Sequence, residues 1–305
     1  MPQSESVAQT VERHWATIEP HAETIAKAPG QTIRPSGTPD AAARDVLARA
    51  LEARTQSTQA GALVMRDTLG EGAMGVVRLA TQASLGREVA AKTLKPDARD
   101  ERSTLRLLRE AWVTGALEHP NVIPVHELRI GDDGAPVVVL KKVEGEAWSK
   151  LMHDADAVRE RFGVGDHLAW NLRILTSVCN AMELAHDRGI LHRDLKPDNV
   201  MIGRFGEVYV VDWGIAVSLR DDGDGRLPLA SEATALAGTP SYMAPEMVGG
   251  SPPRLTERTD VYLLGAVLYE ILAGHAPHRG ETLMQIVGSV LMHTPELPDD
   301  APEEL

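Results

Sequence analysis

The chain has 305 residues, of which 43% are hydrophobic, so it is long enough for one large domain or two lobes, plus an extension. Its 31 basic and 44 acidic residues give a net charge of −13, which argues against nucleic acid or an anionic membrane as a partner, because both attract basic surfaces. A single cysteine, Cys179, excludes an intrachain disulfide framework and favours a reducing, cytoplasmic compartment.

No membrane contact is predicted for residues 1–305. The sequence lacks an uninterrupted apolar run of about 18 residues, the length that a membrane-spanning helix needs. Residues 1–20 lack the basic start and apolar centre of a signal peptide. An anchor beyond residue 305 of a longer chain is left open.

Residues 1–60 are predicted to form an N-terminal extension that is partly helical or disordered. They are polar and contain two weak helical stretches, 4–27 and 40–54, separated by the turn-rich segment 29–39. Two interpretations stand: a loosely ordered tail, or a regulatory or docking element.

Residues 61–143 carry the pattern of a small, β-rich lobe with one helix. The predicted elements are strands at 76–80, 88–92 and 136–140 and a helix at 103–117. The last strand is apolar throughout, and the polar residues 141–145 that follow it predict a hinge.

Residues 144–305 are mainly helical in pattern, which predicts a second, larger lobe and an α+β fold. The predicted elements are helices at 166–188 and 260–272 and short strands at 201–202 and 208–211. Cys179 falls on an apolar stripe with helical spacing, so we predict a buried structural thiol rather than a nucleophile. The stripe consists of Leu168, Leu172, Leu175, Cys179 and Met182.

Three glycines, Gly70, Gly72 and Gly75, lie in a turn between predicted strands. Without a Cβ, their backbone N–H groups can approach phosphate oxygens closely. The spacing alone also fits a dinucleotide fold or an ordinary glycine-rich hairpin. Because strand 76–80 continues where a dinucleotide site needs a helix, the dinucleotide interpretation is disfavoured.

Lys92 ends an apolar strand, and Glu110 lies on the otherwise apolar face of the predicted helix. A lysine at a strand end is commonly just solvated. A buried carboxylate needs a partner, however. We therefore predict that Lys92 pairs with Glu110, which would hold the ammonium group against the α- and β-phosphates of a nucleotide.

Four segments then occur in order and with matched spacing, although any one alone could be structural. They are 89–92 (VAAK), 192–199 (HRDLKPDN), 212–214 (DWG) and 244–246 (APE). Together they resemble the protein kinase family, in particular the eukaryotic-type serine/threonine kinases of bacteria, from about residue 62 onward. The resemblance implies a two-lobed protein kinase fold whose larger lobe lacks its last helices here.

The same resemblance implies roles in the chemical step. Asp194 would orient the substrate hydroxyl and accept its proton, and Lys196, in the pattern of the serine/threonine branch, would steady the γ-phosphate. Asn199 and Asp212 would supply hard oxygen ligands for Mg²⁺. Because phosphoryl transfer passes through a loose transition state, catalysis is mainly alignment and charge neutralisation.

ATP is the implied cofactor, bound with its adenine between apolar layers and read by the backbone of the hinge. The residues implied in this site are Leu69, Gly70, Gly72, Gly75, Val77, Ala90, Lys92, Leu140 at the gatekeeper position, Lys141, Val143 and Met201.

Members of the family are phosphorylated between the DWG and APE segments, where this sequence offers Thr234 first and Ser231 second. A phosphate there could pair with Arg193 and order the segment. Val217 stands where a second basic residue is common, which weakens the case for strict control by phosphorylation. An unmodified polar loop is the alternative.

Other positions match or depart from the family pattern. Trp213 replaces the usual Phe, and Lys141 and Lys142 replace an acidic and an aromatic residue at the hinge. Asp260 resembles the helix aspartate that ties down the catalytic-loop backbone, with a plain N-cap as the alternative. Thr239 resembles the threonine that hydrogen-bonds the catalytic aspartate and lysine.

Glu246 matches a buried glutamate that pairs with an arginine near the end of the larger lobe. After Arg279 the sequence contains neither arginine nor lysine. An unpaired buried carboxylate costs about 3–5 kcal/mol. We expect the chain to be a piece of a longer protein; compensation by Arg254, Arg258 or a partner protein is the alternative.

The predicted function is a serine/threonine protein kinase that transfers the ATP γ-phosphate to protein hydroxyls in bacterial signalling and also autophosphorylates. A pseudokinase or scaffold is the alternative, although such proteins usually lose the equivalent of Lys92, Asp194 or Asp212. A small-molecule phosphotransferase would lack the segment 238–246, which shapes a peptide-binding surface in the family. The sequence predicts neither the substrate nor the oligomeric state.

Overall fold

The computed structural model covers most of both predicted lobes and small parts of the extension. It describes residues 30–33, 44–45, 48, 63–72, 75–131, 133–221, 223, 225–233, 236–248, 254–298 and 301–302. The predicted helical stretch 4–27 lies outside the described residues. In the second stretch, 40–54, Arg44, Asp45 and Ala48 are helical.

The small lobe is a five-stranded antiparallel sheet with one helix. Its elements are strands β1 Leu63–Glu71, β2 Gly75–Gln82, β3 Arg87–Leu94, β4 Val125–Ile130 and β5 Pro136–Lys141, and helix α1 Glu101–Ala116. The strand order is β1-β2-β3-β5-β4. Sequence analysis predicted β2, β3 and β5 and missed β1 and β4, because those two contain no buried residue and so carry no clear apolar alternation.

Alternation along β5 gives the sheet two packed faces. Val137 and Val139 belong to a buried cluster with residues of β2 and β3, whereas Val138 packs with Leu107 and Ala111 of α1. Helix α1 begins two residues earlier than predicted because Asp100 caps it: the Asp100 carboxylate accepts the Ser103 N–H at 2.7 Å. The helix is thereby fixed against the face of the sheet that carries Lys92.

The larger lobe is mainly helical and follows the hinge residues 142–144. Its helices are α2 Ala155–Phe162, α3 His167–Asp187, α4 Pro245–Val248, α5 Glu257–Ala273 and α6 Leu283–Met292, and its strands are β6 Gly145–Ala147, β7 Ile190–Leu191, β8 Val200–Gly203, β9 Val208–Val210 and β10 Val217–Ser218. Strands β6, β8 and β9 form one small antiparallel sheet, and β7 pairs with β10. The predicted α+β arrangement of a small β-rich lobe and a larger, mainly helical lobe is confirmed. Where the structure describes the chain, it contains no helix both long and apolar enough to span a membrane.

The prediction that Cys179 is buried is wrong. Cys179 is exposed on α3, whose buried face runs instead through Ile174, Val178, Ala181 and Ala185. The stripe predicted from the sequence is rotated from this face, and only its members Leu175 and Met182 are buried.

A buried histidine, His278, links the chain after α5 to helix α6. Its side chain lies 2.7 Å from the Tyr262 hydroxyl and 3.1 Å from Ser289 Oγ, and the residue is fully buried. Burial, with a smaller effect from His293, lowers the pKa of His278 to about 4. The imidazole is therefore neutral at pH 7.

We predict that His278 makes the fold sensitive to mild acid. Between pH 6.5 and about 4 the unfolded chain binds a proton at this position that the folded chain does not, so stability falls as the pH falls through this window. In thermal unfolding across this range, His278→Gln should show a smaller loss of midpoint than the wild type. Thr176→Ala, at an exposed threonine on α3, is the control for substitution itself and should keep the wild-type slope. Identical slopes for the wild type and His278→Gln would contradict the prediction.

Candidate active site

Lys92 and Glu110 form an ion pair between β3 and α1. Lys92 Nζ donates to both carboxylate oxygens of Glu110, at 2.5 and 2.7 Å. Both side chains are mostly buried, with 23% and 16% exposed. The pair ties α1 to the sheet and holds the ammonium group at the wall of the cleft.

A cavity of about 400 Å³ lies between the sheet and the hinge side of the larger lobe. Of the residues implied for ATP, eight besides Lys92 line it: Leu69, Gly70, Val77, Ala90, Leu140, Lys141, Val143 and Met201. Sequence analysis missed further lining residues, including Thr114, Ile123 and Val211, because no local motif marks them. The mixture of apolar walls and hinge backbone suits a flat aromatic ring.

The glycines of the β1–β2 turn border a second cavity of about 300 Å³, together with Lys92 and Asp212. Gly72 N–H donates to the Gly75 carbonyl oxygen at 2.9 Å, which draws the turn together. A Cβ on Gly75 would lie 2.9 Å from the Thr93 carbonyl oxygen, so this position needs glycine. Gly70, Gly72 and Gly75 thus leave room for anionic groups near Lys92.

Asp260 anchors the catalytic loop from the first turn of α5. Its fully buried carboxylate accepts the backbone N–H groups of His192 and Arg193, each at 2.9 Å, and contacts His186 Nε2 at 3.0 Å. Thr256, not Asp260, is the N-cap of the helix, so the plain N-cap interpretation does not hold. The anchor fixes the backbone directly before Asp194.

Arg193 has a backbone φ of 68°, in the left-handed region. Such a conformation costs on the order of 1–3 kcal/mol in a residue other than glycine and persists only where its surroundings enforce it. Burial lowers the pKa of Arg193 to about 10, against the opposing effect of Asp260 and Asp194. The guanidinium therefore stays charged at neutral pH.

The Asp194 carboxylate accepts several hydrogen bonds. Thr239 Oγ1 donates to Oδ1 at 2.6 Å, and Asn199 Nδ2 donates to Oδ2 at 2.9 Å. Lys196 Nζ lies 3.9 Å from Oδ2 and donates to Thr239 Oγ1 at 2.8 Å. Thr32, from the extension, also donates to Oδ2, at 2.7 Å; no motif in the sequence indicated this contact.

Asn199 and Asp212 lie close together because the Val211 N–H donates to the Asn199 backbone carbonyl at 2.9 Å. The Asn199 amide nitrogen faces Asp194, so its amide oxygen is the atom that could ligate a cation. Among the described residues, no cluster of three or more His, Cys, Asp or Glu could hold a metal by itself. Asp212 lines the cavity below the glycine turn, and this pair of hard oxygen donors fits a divalent cation that is held jointly with phosphates.

Trp213 fills a closed slot beside the catalytic loop. It is fully buried, and its ring centroid lies 4.5 Å from that of His192. Its indole N–H has no hydrogen-bond partner in the described part of the chain. The larger ring therefore fits where the family usually has Phe, at the expense of one unsatisfied donor.

The two hinge lysines are held by neighbouring side chains. Lys141 Nζ donates to the Tyr209 hydroxyl. Lys142 Nζ donates to Glu88 at 2.6 Å and to Glu144 at 3.2 Å. Both ammonium groups are thereby engaged by neighbouring side chains.

The segment between DWG and APE is only partly described. Thr234 lies outside the described residues, and Ser231 is exposed on the 3₁₀ turn Ala230–Glu232. Val217, which stands in place of a second basic residue, is buried in β10.

Glu246 is half-buried rather than buried, and its partner in the described residues is a hydroxyl group. Thr259 Oγ1 donates to Glu246 Oε1 at 2.7 Å. The expected arginine is thus replaced in part by a neutral donor and by solvent. The electrostatic cost expected for a buried, unpaired carboxylate does not arise in full.

The family model for the protein kinase domain matches residues 63–302. The chain belongs to the protein kinase family. This match covers both lobes and every motif described above.

Curated relatives are bacterial kinases. The chain is 39% identical over 227 residues to the serine/threonine-protein kinase PknD of Chlamydia caviae, which covers 69% of this chain and 24% of that protein. It is 36% identical over 220 residues to PknB of Mycolicibacterium smegmatis, covering 71% and 33%, and 34% identical over 224 residues to PknB of Mycobacterium tuberculosis, covering 72% and 34%. The chain therefore spans about a quarter to a third of these relatives' length.

We predict that Asp260→Asn loosens the catalytic loop. The amide would place an NH₂ group against one of the two backbone N–H donors, which leaves a buried donor unsatisfied at a cost of about 1–3 kcal/mol. Thermal unfolding should show a lower midpoint, and phosphoryl transfer should fall as well. Asp156→Asn, at a side chain that is 91% exposed, is the matched control. A wild-type midpoint and wild-type transfer in Asp260→Asn would show that the anchor is dispensable.

Proposed function

We propose that this chain is the catalytic domain of a bacterial serine/threonine protein kinase, which transfers the γ-phosphoryl group of ATP to protein hydroxyls and to its own. The observation that carries the proposal is the Lys92–Glu110 ion pair at the wall of the cleft, with Asp212 lining the same cavities. A pseudokinase or scaffold is disfavoured, because Lys92, Asp194 and Asp212 are all present and lie in or beside one cleft.

In this proposal residues 61–143 form the lobe that binds most of the nucleotide, and residues 144–305 supply the catalytic loop and the protein-substrate surface. Leu140 and Met201 would enclose the adenine, and Lys92 would hold the α- and β-phosphates. The glycine-rich turn would cover the phosphates with its backbone N–H groups.

Asp194 would orient the attacking hydroxyl and take its proton as the phosphoryl group departs. Thr239 and Asn199 hold the carboxylate in place by hydrogen bonds, so the side chain is preorganised. Lys196 would steady the γ-phosphate. These roles need alignment more than a strong base.

The family uses a divalent cation with ATP, and we propose Mg²⁺. Asp212 and Asn199 would hold it through oxygen atoms, and the cation would supply charge neutralisation at the phosphates. This small donor set is in keeping with Mg²⁺, which binds through few protein oxygens and the substrate phosphates.

Regulation by phosphorylation at Thr234 or Ser231 remains a proposal. It is supported by the buried Arg193, whose Nε lacks a hydrogen-bond partner among the described residues. A phosphate would supply acceptors for such a cation. We also propose a cytoplasmic, reducing location, on the strength of the single cysteine and the need for ATP.

We predict that Asp194→Asn lowers transfer to a generic basic protein by about 10²–10⁴-fold, the usual contribution of a proton-accepting group, while nucleotide binding remains. Lys92→Met should also impair transfer, because the phosphates lose their positioning cation. Transfer would be measured with labelled ATP and Mg²⁺, and nucleotide binding by calorimetry.

Controls at exposed positions separate chemistry from folding. Lys150→Met and Asp156→Asn change the same residue types on the surface and should keep wild-type transfer. Near-normal turnover in Asp194→Asn would refute the assigned roles.

A further inference from the structure

The segment Gly30–Ile33 of the N-terminal extension lies against the catalytic loop. Ile33 N–H donates to the Gly238 carbonyl oxygen at 2.6 Å, and Gly238 N–H donates to the Ile33 carbonyl oxygen at 2.7 Å. These two bonds form an antiparallel bridge between the extension and the segment that precedes APE. The extension is therefore paired with the larger lobe at this point through its backbone.

The Thr32 hydroxyl occupies the position that a phosphoacceptor requires. Thr32 Oγ1 donates to Asp194 Oδ2 at 2.7 Å and accepts from Lys196 Nζ at 3.0 Å. It also lies 3.2 Å from Thr239 Oγ1, and the Gly30 carbonyl oxygen accepts from Lys196 at 3.3 Å. The hydroxyl thus touches both the proposed proton acceptor and the proposed phosphate-steadying lysine.

The residue after the hydroxyl is held in an apolar site. Ile33 is fully buried and belongs to the main core of the larger lobe. Its bridge partner Gly238 has a φ of 124°, and a Cβ there would lie 2.9 Å from the Arg193 carbonyl oxygen. Only glycine fits at this position. The backbone that pairs with Ile33 therefore lies directly against the catalytic loop.

A purely structural contact would explain the burial of Ile33 but not the placement of Thr32. Burial of Ile33 would allow any small residue at position 32. A hydroxyl at another position of the segment would not contact Asp194. Here the hydroxyl proton points at the one carboxylate that the proposed mechanism uses as its acceptor.

We propose that Thr32 is an intramolecular phosphorylation site, and that residues 30–33 occupy the protein-substrate site as a cis substrate; this rests on the proposed kinase function. In the step, Thr32 Oγ forms a bond to the γ-phosphorus of ATP while the bond from that phosphorus to the β,γ-bridging oxygen breaks. ADP leaves with the electron pair, and the hydroxyl proton passes to Asp194.

The same geometry predicts which class of peptide the site would accept as a substrate. A substrate would present a threonine or serine followed directly by a buried apolar residue, paired through its backbone with Gly238. After transfer, the phosphate on Thr32 would carry a charge of about −1.5 to −2 next to the Asp194 carboxylate, which favours release of the modified segment.

The test is phosphosite mapping after incubation with Mg²⁺ and ATP, run beside transfer to a generic basic protein. Thr32 should be modified at a rate that does not change over an about tenfold range of protein concentration, because the transfer is intramolecular. Thr32→Ser should remain modified at position 32, and Thr32→Val should not. Thr176→Ala, at an exposed threonine on α3, is the control and should keep the Thr32 signal.

The contribution of Ile33 is tested without relying on a variant protein that could misfold. Two synthetic peptides of residues 28–38, one with the natural sequence and one with Ile33→Asp, would be offered to the wild-type protein. The natural peptide should be phosphorylated at its Thr32 position roughly tenfold or more faster, since one apolar side chain discriminates by about that factor.

The outcomes separate the inference from the proposed function. Transfer to the basic protein with Thr32 unmodified would overturn the inference alone, as would a Thr32 rate that rises in proportion to protein concentration or equal rates for the two peptides. Absence of transfer to every acceptor would instead refute the proposed kinase function.

Discussion

The buried carboxylate of Asp260 holds the backbone that carries Asp194, the proposed proton acceptor. It lies in the first turn of α5, where the helix dipole favours a negative charge, and it accepts the N–H groups of His192 and Arg193. These bonds maintain Arg193 in a left-handed conformation that it would not adopt freely. The next residue, Asp194, therefore starts from a fixed backbone, and Thr239 and Asn199 need only hold its side chain.

The two lobes bring groups of opposite charge to one cleft. The small lobe contributes Lys92, held by Glu110, and the larger lobe contributes the carboxylates Asp194 and Asp212 with Lys196 nearby. Carboxylates beside an anionic triphosphate are unfavourable unless cations lie between them. The arrangement suits an anionic substrate that arrives with a cation, and it gives α1 control over the site because Glu110 positions Lys92.

Local patterns predicted the parts of the site that lie on one element or on two packed neighbours. Lys92 and Glu110 were predictable because an acidic group on an apolar helix face needs a nearby cation. The exposure of Cys179 was not predictable. A helix with several apolar positions has more than one candidate buried stripe, and tertiary packing decides which of them is buried. The contact between Thr32 and Asp194 joins residues 162 positions apart, and no periodicity or motif in a single sequence encodes such a pairing. The sequence therefore predicts the fold, but it does not predict which segment lies against Asp194.

Recognition at this substrate site uses few side chains. Ile33 pairs with Gly238 through backbone hydrogen bonds, which any peptide can form. The one buried apolar side chain adds only limited selectivity between peptide sequences. A free peptide would bind such a site weakly. A segment of the same chain is confined near the site, so its effective concentration there exceeds that of a free peptide. Tethering can therefore keep the site filled where the same sequence, free in solution, would need a high concentration, and any external substrate must displace the tethered segment or arrive after it has been modified and released.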